Sequence, residues 1–304
     1  TEPGSGGGAP SATTSASATG TGAATTGDSR ADQVRLHVPA GVELGSPPVR
    51  ILDALARATP RLAAGSTGGV TTGRVARGSG EEAPGADIVV LPASVRPGGA
   101  TYVDSGEGWV NADAPLSAAD NVWLHEYVHA SQAVDLGPDM RWYREASAEY
   151  LAARLALAEG LASEWAYLRH LSGEGGAGAV LANRSTWPDG MVAYTRGARV
   201  LAALDRTIRT RTDGRRTMFS VFARLNDYDG IVTREVFSTV VSRVSGADTS
   251  GWIERYVGGS GAVRLVPPPR DGAGGRSTAG DSLLSVGLLA LAGAVLGGDR
   301  FGRS

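Results

Sequence analysis

Residues 125–129 read His-Glu-Tyr-Val-His, an H-E-x-x-H array of two imidazoles and a carboxylate. On a helix, positions four apart lie one above the other, so His125 and His129 can reach one cation together. Glu126 then projects beside that cation, where it can take a proton from a water molecule. The chemistry this spacing points to is hydrolysis assisted by zinc, with Glu126 as general base. The flanking residues predict the helix it needs. Ser117 and Asp120 read as an N-cap and an acidic first turn, and Gly137-Pro138 as the stop. Val122, Trp123, Tyr127, Val128 and Val134 supply apolar surface between them.

Catalytic zinc takes three protein ligands and keeps a position open. A second helix, predicted from Asp139 to Gly160, offers the third. Glu145 and Glu149 lie one turn apart on one face, and Ala146, Ser147 and Ala148 between them are small enough for two helices to approach closely. Glu145 is assigned as the ligand. Glu149 is assigned the orienting role that carboxylates play toward ligating imidazoles. A pair of solvated helix charges is the other reading of the same spacing.

These residues carry a resemblance. H-E-Y-V-H followed by W-Y-R-E-A-S-A-E-Y resembles the gluzincin metallopeptidases, in particular the leukotriene-hydrolase-type and glycyl aminopeptidases. The chain departs from them in a slightly shorter gap between His129 and Glu145, and in Ala146 where a glycine is common. Downstream, Tyr194-Thr195-Arg196-Gly197-Ala198-Arg199-Val200-Leu201 is similar to a Y-x-K-G-A-x-V-L segment of those enzymes. The resemblance implies that the Tyr194 hydroxyl donates to the oxyanion; taken alone, Tyr194 is an ordinary aromatic at a helix start. Phe237–Val244 and Trp252-Ile253 resemble the closing helices of the same family, so the similarity spans roughly residues 85 to 257. The G-x-M-E-N strand whose glutamate grips a substrate's free amine has no clear counterpart. The corresponding region, 98–110, carries Glu107 alone, in a Gly-rich turn between two strands of a predicted hairpin, Thr101–Val103 and Trp109–Asn111.

The remaining composition bounds the reading. There are 29 basic residues, all arginine, against 31 acidic ones, so the net charge of -2 gives no reason to expect nucleic acid as a partner. Cysteine is absent, which excludes disulfides, thiol catalysis and Cys-ligated zinc. Residues 1–31 are rich in Gly, Ser, Thr and Ala and are expected to be a disordered spacer, as in an exported protein. The lack of an initiator Met suggests a trimmed or mature chain. Residues 32–116 form a β-rich half, with strands at Val34–Val38, Val70–Val75 and Asp87–Leu91 and a helix at Val49–Ala64. Residues 117–262 form the helical half that carries the zinc site, with a Gly-rich loop at 173–190. The expected architecture is α+β: a zincin (thermolysin-like) catalytic domain, with a small mixed sheet followed by a helical subdomain and the metal in the cleft between them. A Pro/Gly linker, 263–281, leads to an uncharged apolar stretch at 282–298, expected to be a transmembrane anchor.

The reading is a zinc metallopeptidase tethered to the cell membrane with its catalytic domain outside. Its partners are a peptide or protein substrate and the membrane. Three alternatives fit the same residues: an aminopeptidase of the same family, an inactive zinc-stabilised peptide-binding domain, and a metal-free helical adhesion module. His170 and His37 are left out of the ligand set.

Overall fold

The computed structural model describes residues 13–16, 34–64, 86–173, 175–263 and 265. The expected strand Val70–Val75 and the apolar stretch 282–298 lie outside them. Among the described residues no helix is long and apolar enough to cross a membrane.

The first half is a five-stranded mixed sheet. Its strands are β1 (Thr13–Ala16), β2 (Val34–Pro39), β3 (Ala86–Leu91), β4 (Gly99–Tyr102) and β5 (Glu107–Asn111), in the order β1-β2-β3-β5-β4. β2, β3 and β5 run parallel, while β1 and β4 are antiparallel to their neighbours. β1 falls inside the segment expected to lack structure. A backbone ladder of this kind needs no apolar side chains, which is the signal that its composition lacks. β3 alternates rather than being buried on both faces: Ala86, Ile88 and Val90 point inward, and Val89 is 40% exposed. The inner face is covered by helices, the first being α1 (Pro48–Leu62), which starts with Pro at its first helical position, where the missing N–H costs nothing.

The second half is helical: α2 (Val122–Ala130), α3 (Trp142–Ala158), α4 (Glu164–Leu171), α5 (Ala198–Arg211), α6 (Met218–Asn226), α7 (Arg234–Ser245) and α8 (Ser250–Ile253). α2 is buried on nearly all sides. Trp123 Nε1 donates to the Ala114 carbonyl at 2.9 Å, and the Tyr127 hydroxyl meets Thr59 Oγ1 of α1 at 2.6 Å. Its boundaries differ from those expected. The cap is Asn121, not Ser117: its buried Oδ1 accepts from Leu124 N at 2.9 Å. The helix ends at Ala130, well before Gly137-Pro138, because tertiary partners take over the backbone. Asn226 of α6 donates to the Ser131 carbonyl and accepts from Ala133 N, and a short parallel pair joins Asp135–Leu136 (β6) to Ile231–Val232 (β7).

α3 also starts later than expected. Pro138–Met140 is a single 3-10 turn, and the Asp139 carboxylate accepts from Arg234 N at 3.0 Å, so it serves the start of α7 instead. α2 and α3 pack closely, and a π-helical turn, Ala193–Gly197, lies on α3 just before α5. The fit at this second contact is tight. A Cβ at Gly197 would sit 2.7 Å from the Ala146 Cβ, so the missing side chain of Gly197 receives the Ala146 methyl. Ala146 is fully buried there, and this contact sets how near Tyr194 comes to the face of α3.

Candidate active site

His125 and His129 project from α2, and Glu145 from the first turn of α3. The three converge. His129 Nε2 lies 3.1 Å from His125 Nε2 and 3.1 Å from Glu145 Oε2, and His125 Nε2 lies 3.7 Å from the same oxygen. A tetrahedral zinc with ligands at about 2.0–2.1 Å requires donor atoms roughly 3.3 Å apart, so this triangle has the size of one face of its coordination shell. The donor set, two imidazoles and a carboxylate, is one that catalytic zinc uses. Among the described residues this is the cluster able to hold a metal ion.

Each of these two imidazoles is held from behind. Glu149 Oε2 lies 3.0 Å from His125 Nδ1, so the ring donates there and its Nε2 faces the triangle. His129 Nδ1 lies 3.1 Å from Gln132 Oε1. Gln132 is itself fixed, its Nε2 donating to the Arg144 carbonyl at 2.8 Å and to Ser147 Oγ at 2.9 Å. Gln132 was not singled out from the sequence. It lies beyond the helix end, where periodicity says nothing, and only the early stop at Ala130 lets it fold back. His170, set aside as a ligand, is indeed outside the triangle; its Nε2 lies 2.8 Å from Glu149 Oε1.

The site is electrostatically polarised. Burial would lower the pKa of His125, but the Glu145 and Glu149 carboxylates outweigh it and raise it well above the ordinary value. Burial would raise the pKa of Glu145, yet His129 and His125 hold it well below the usual carboxylate range. Glu149 follows the same pattern: burial opposes its charge, and hydrogen bonds from His125 and His170 bring its pKa down to about 2. These carboxylates favour a proton on His125, which a metal cation binding there would have to displace.

Glu126 sits at the rim, on the side facing the sheet. Thr101 Oγ1, from β4, lies 2.8 Å from Glu126 Oε2 and 3.2 Å from its carbonyl. Gly99 makes this approach possible: a Cβ there would stand 2.7 Å from the Glu126 Cγ. Tyr194 comes from the π-helical turn, where a helix start was expected. Its ring stacks on that of His125, with centroids 5.8 Å apart and planes within 5°. Burial and then the neighbouring charge of Glu145 raise its pKa. A cleft opens in front of these groups, lined by His125, Glu126 and Tyr194 together with Gly98, Gly99, Val122 and Asp120. Glu107 is not among its lining residues; it lies at the start of β5, against Ser105.

In fold, the chain is similar to an aminopeptidase N family protein from Idiomarina loihiensis, at 15% identity and a TM-score of 0.56, over 77% of this chain and 46% of that one. It is also similar to an M1 zinc metallopeptidase from Deinococcus radiodurans, at 20% identity and a TM-score of 0.52, over 78% of this chain and 50% of that one. The chain therefore spans about half the length of these structures. No family model and no curated protein matches the sequence.

The ligand assignment has a direct check. On the assignment made from the sequence, Glu145→Ala would remove a ligand, whereas Glu149→Ala would remove only the support behind His125, an effect of about 10–100-fold on zinc affinity. Competition with a chelator should rank Glu145→Ala as the weaker binder. Affinity of the wild type should also fall as pH falls, over a range extending above that of an ordinary histidine, because the raised pKa of His125 keeps a competing proton on it. The opposite ranking, or pH-independent affinity, would contradict the assignment.

Proposed function

We propose that this chain is the catalytic part of a zinc metallopeptidase. The observation that carries the reading is the His125–His129–Glu145 triangle, with Glu126 at its rim and Tyr194 stacked on His125. His125, His129 and Glu145 would hold the zinc, which would supply a Lewis acid and lower the pKa of a water toward about 7. Glu126 accepts a proton from the attacking water and returns it to the leaving amine. Thr101 Oγ1 holds its Oε2. The Tyr194 hydroxyl, beside His125, donates to the substrate's carbonyl oxygen as charge develops there.

β4 is an edge of the sheet and its Gly99 and Thr101 meet Glu126, so an extended peptide pairing with β4 would lie across the cleft. The strand itself, Gly99-Ala100-Thr101-Tyr102, carries no carboxylate to grip a free amine. Cleavage within peptides therefore fits this chain better than strict aminopeptidase action, although one neighbour in fold is of the aminopeptidase N family. The membrane tether at 282–298 is part of the proposal and rests on the sequence alone.

Four measurements test the proposal. Glu126→Gln should retain zinc and lose about 100- to 10,000-fold in turnover of a peptide substrate. Tyr194→Phe should lose about 100- to 1,000-fold, again with zinc retained. Undiminished turnover in Glu126→Gln would remove the mechanism, and in Tyr194→Phe only the role of that hydroxyl. Acetylating a peptide's N-terminus should leave its cleavage rate within about threefold, since β4 carries no carboxylate to give a free amine an advantage in the transition state. If acetylation abolishes cleavage, the enzyme is an aminopeptidase, and the carboxylate to replace is Asp120, which lines the cleft, rather than Glu107. The full chain should partition with membranes, and a chain cut before Asp281 should not. Recovery of the full chain without detergent would dismiss the tether.

A further inference from the structure

His170 is a half-buried imidazole beside the proposed metal centre for which the proposed reaction has no use. It lies in the last turn of α4, and its Nε2 is 2.8 Å from Glu149 Oε1. The other oxygen of that carboxylate, Oε2, lies 3.0 Å from His125 Nδ1. Glu149 is thus shared between two imidazoles, one on each oxygen, with 9% of its surface exposed.

A glutamate held at one oxygen alone keeps freedom about its terminal torsion, whose profile is broad and roughly two-fold. A donor on the second oxygen removes that freedom. His129 has an equivalent arrangement, in which Gln132 faces the ring and is pinned by Arg144 and Ser147. On the His125 side the pin can come only from beyond Glu149, and His170 is the group found there. Its own position is fixed in turn: Arg199 of α5 donates to the carbonyls of Leu171 and Gly173, which holds the end of α4 in place.

We propose that His170 is a positioning residue for the metal centre. It donates Nε2–H to Glu149 Oε1 and so locks the carboxylate that orients His125. The proposal rests on the zinc site described above. It extends the supporting shell of α2 and α3 to a third helix, so that metal affinity depends on where α4 ends.

The test is zinc affinity, measured by competition with a chromophoric chelator on the wild-type chain and on His170→Phe and His170→Gln. Phenylalanine keeps the ring's volume without a donor, while the glutamine amide can still reach Glu149. His170→Phe should bind zinc about 10-fold more weakly, the usual scale for an outer partner of a ligand, and His170→Gln should stay within about threefold of the wild type. In a Glu149→Ala background, His170→Phe should cost nothing further, because its action runs through the carboxylate. His170→Ala serves in its place if the phenylalanine variant does not fold, with the same expectation. Affinity within about twofold of the wild type in the donor-free variant would overturn the role of His170 and leave the zinc centre standing. A loss that persists in the Glu149→Ala background would overturn it too. If the wild-type chain binds no zinc, the metal centre itself falls and this role with it.

Discussion

The close packing of α2 on α3 is the constraint on which the rest depends. It brings two imidazoles and a carboxylate to within 3.1–3.7 Å, a spacing that sets like-facing lone pairs against one another unless protons or a cation lie between them. Such a cluster is costly to bury. The fold bears that cost by fixing each member from outside: Glu149 behind His125, Gln132 behind His129, and small residues on α3 that let the helices meet. Apolar surfaces around α2 supply the driving force. Trp123, Leu124, Tyr127 and Val128 are almost wholly buried, so one helix serves both as core and as the platform for the site.

The other chemical features hang from that pair. β4 reaches Glu126 only because Gly99 has no side chain, and the contact puts the Thr101 hydroxyl on the carboxylate. The turn carrying Tyr194 reaches His125 only because Gly197 accepts the methyl of Ala146. Both contacts are glycine against helix, one from each side of the cleft. A π-helical turn at Tyr194 belongs to the same logic, since such turns re-aim a side chain without ending the helix and are frequent at functional sites.

Much of the site was legible in the sequence because its members obey helical spacing. His125, His129, Glu145 and Glu149 sit at four-residue intervals within their helices, and periodicity alone sets each pair on one face. The mixed sheet followed by helices was legible for the same reason, and the fold likeness to zinc metallopeptidase structures agrees with that layout. What periodicity could not reach was Gln132, His170 and Thr101. Each meets its partner from a different element or from beyond a helix end, so no local pattern marks it. Helix boundaries failed on similar grounds. Ser117 is a good cap by type, but Asn121 has the buried geometry, and Asn226, far along the chain, decides where α2 stops.

Zinc K-edge X-ray absorption on the metal-loaded chain tests the central claim most directly. The triangle of His125, His129 and Glu145 predicts a first shell of only nitrogen and oxygen at about 2.0–2.1 Å, with multiple-scattering features of two imidazoles. Both imidazole signals should survive in Glu126→Gln, and one should be lost in His129→Ala. A shell with no imidazole scattering, or one unchanged by His129→Ala, would contradict the account.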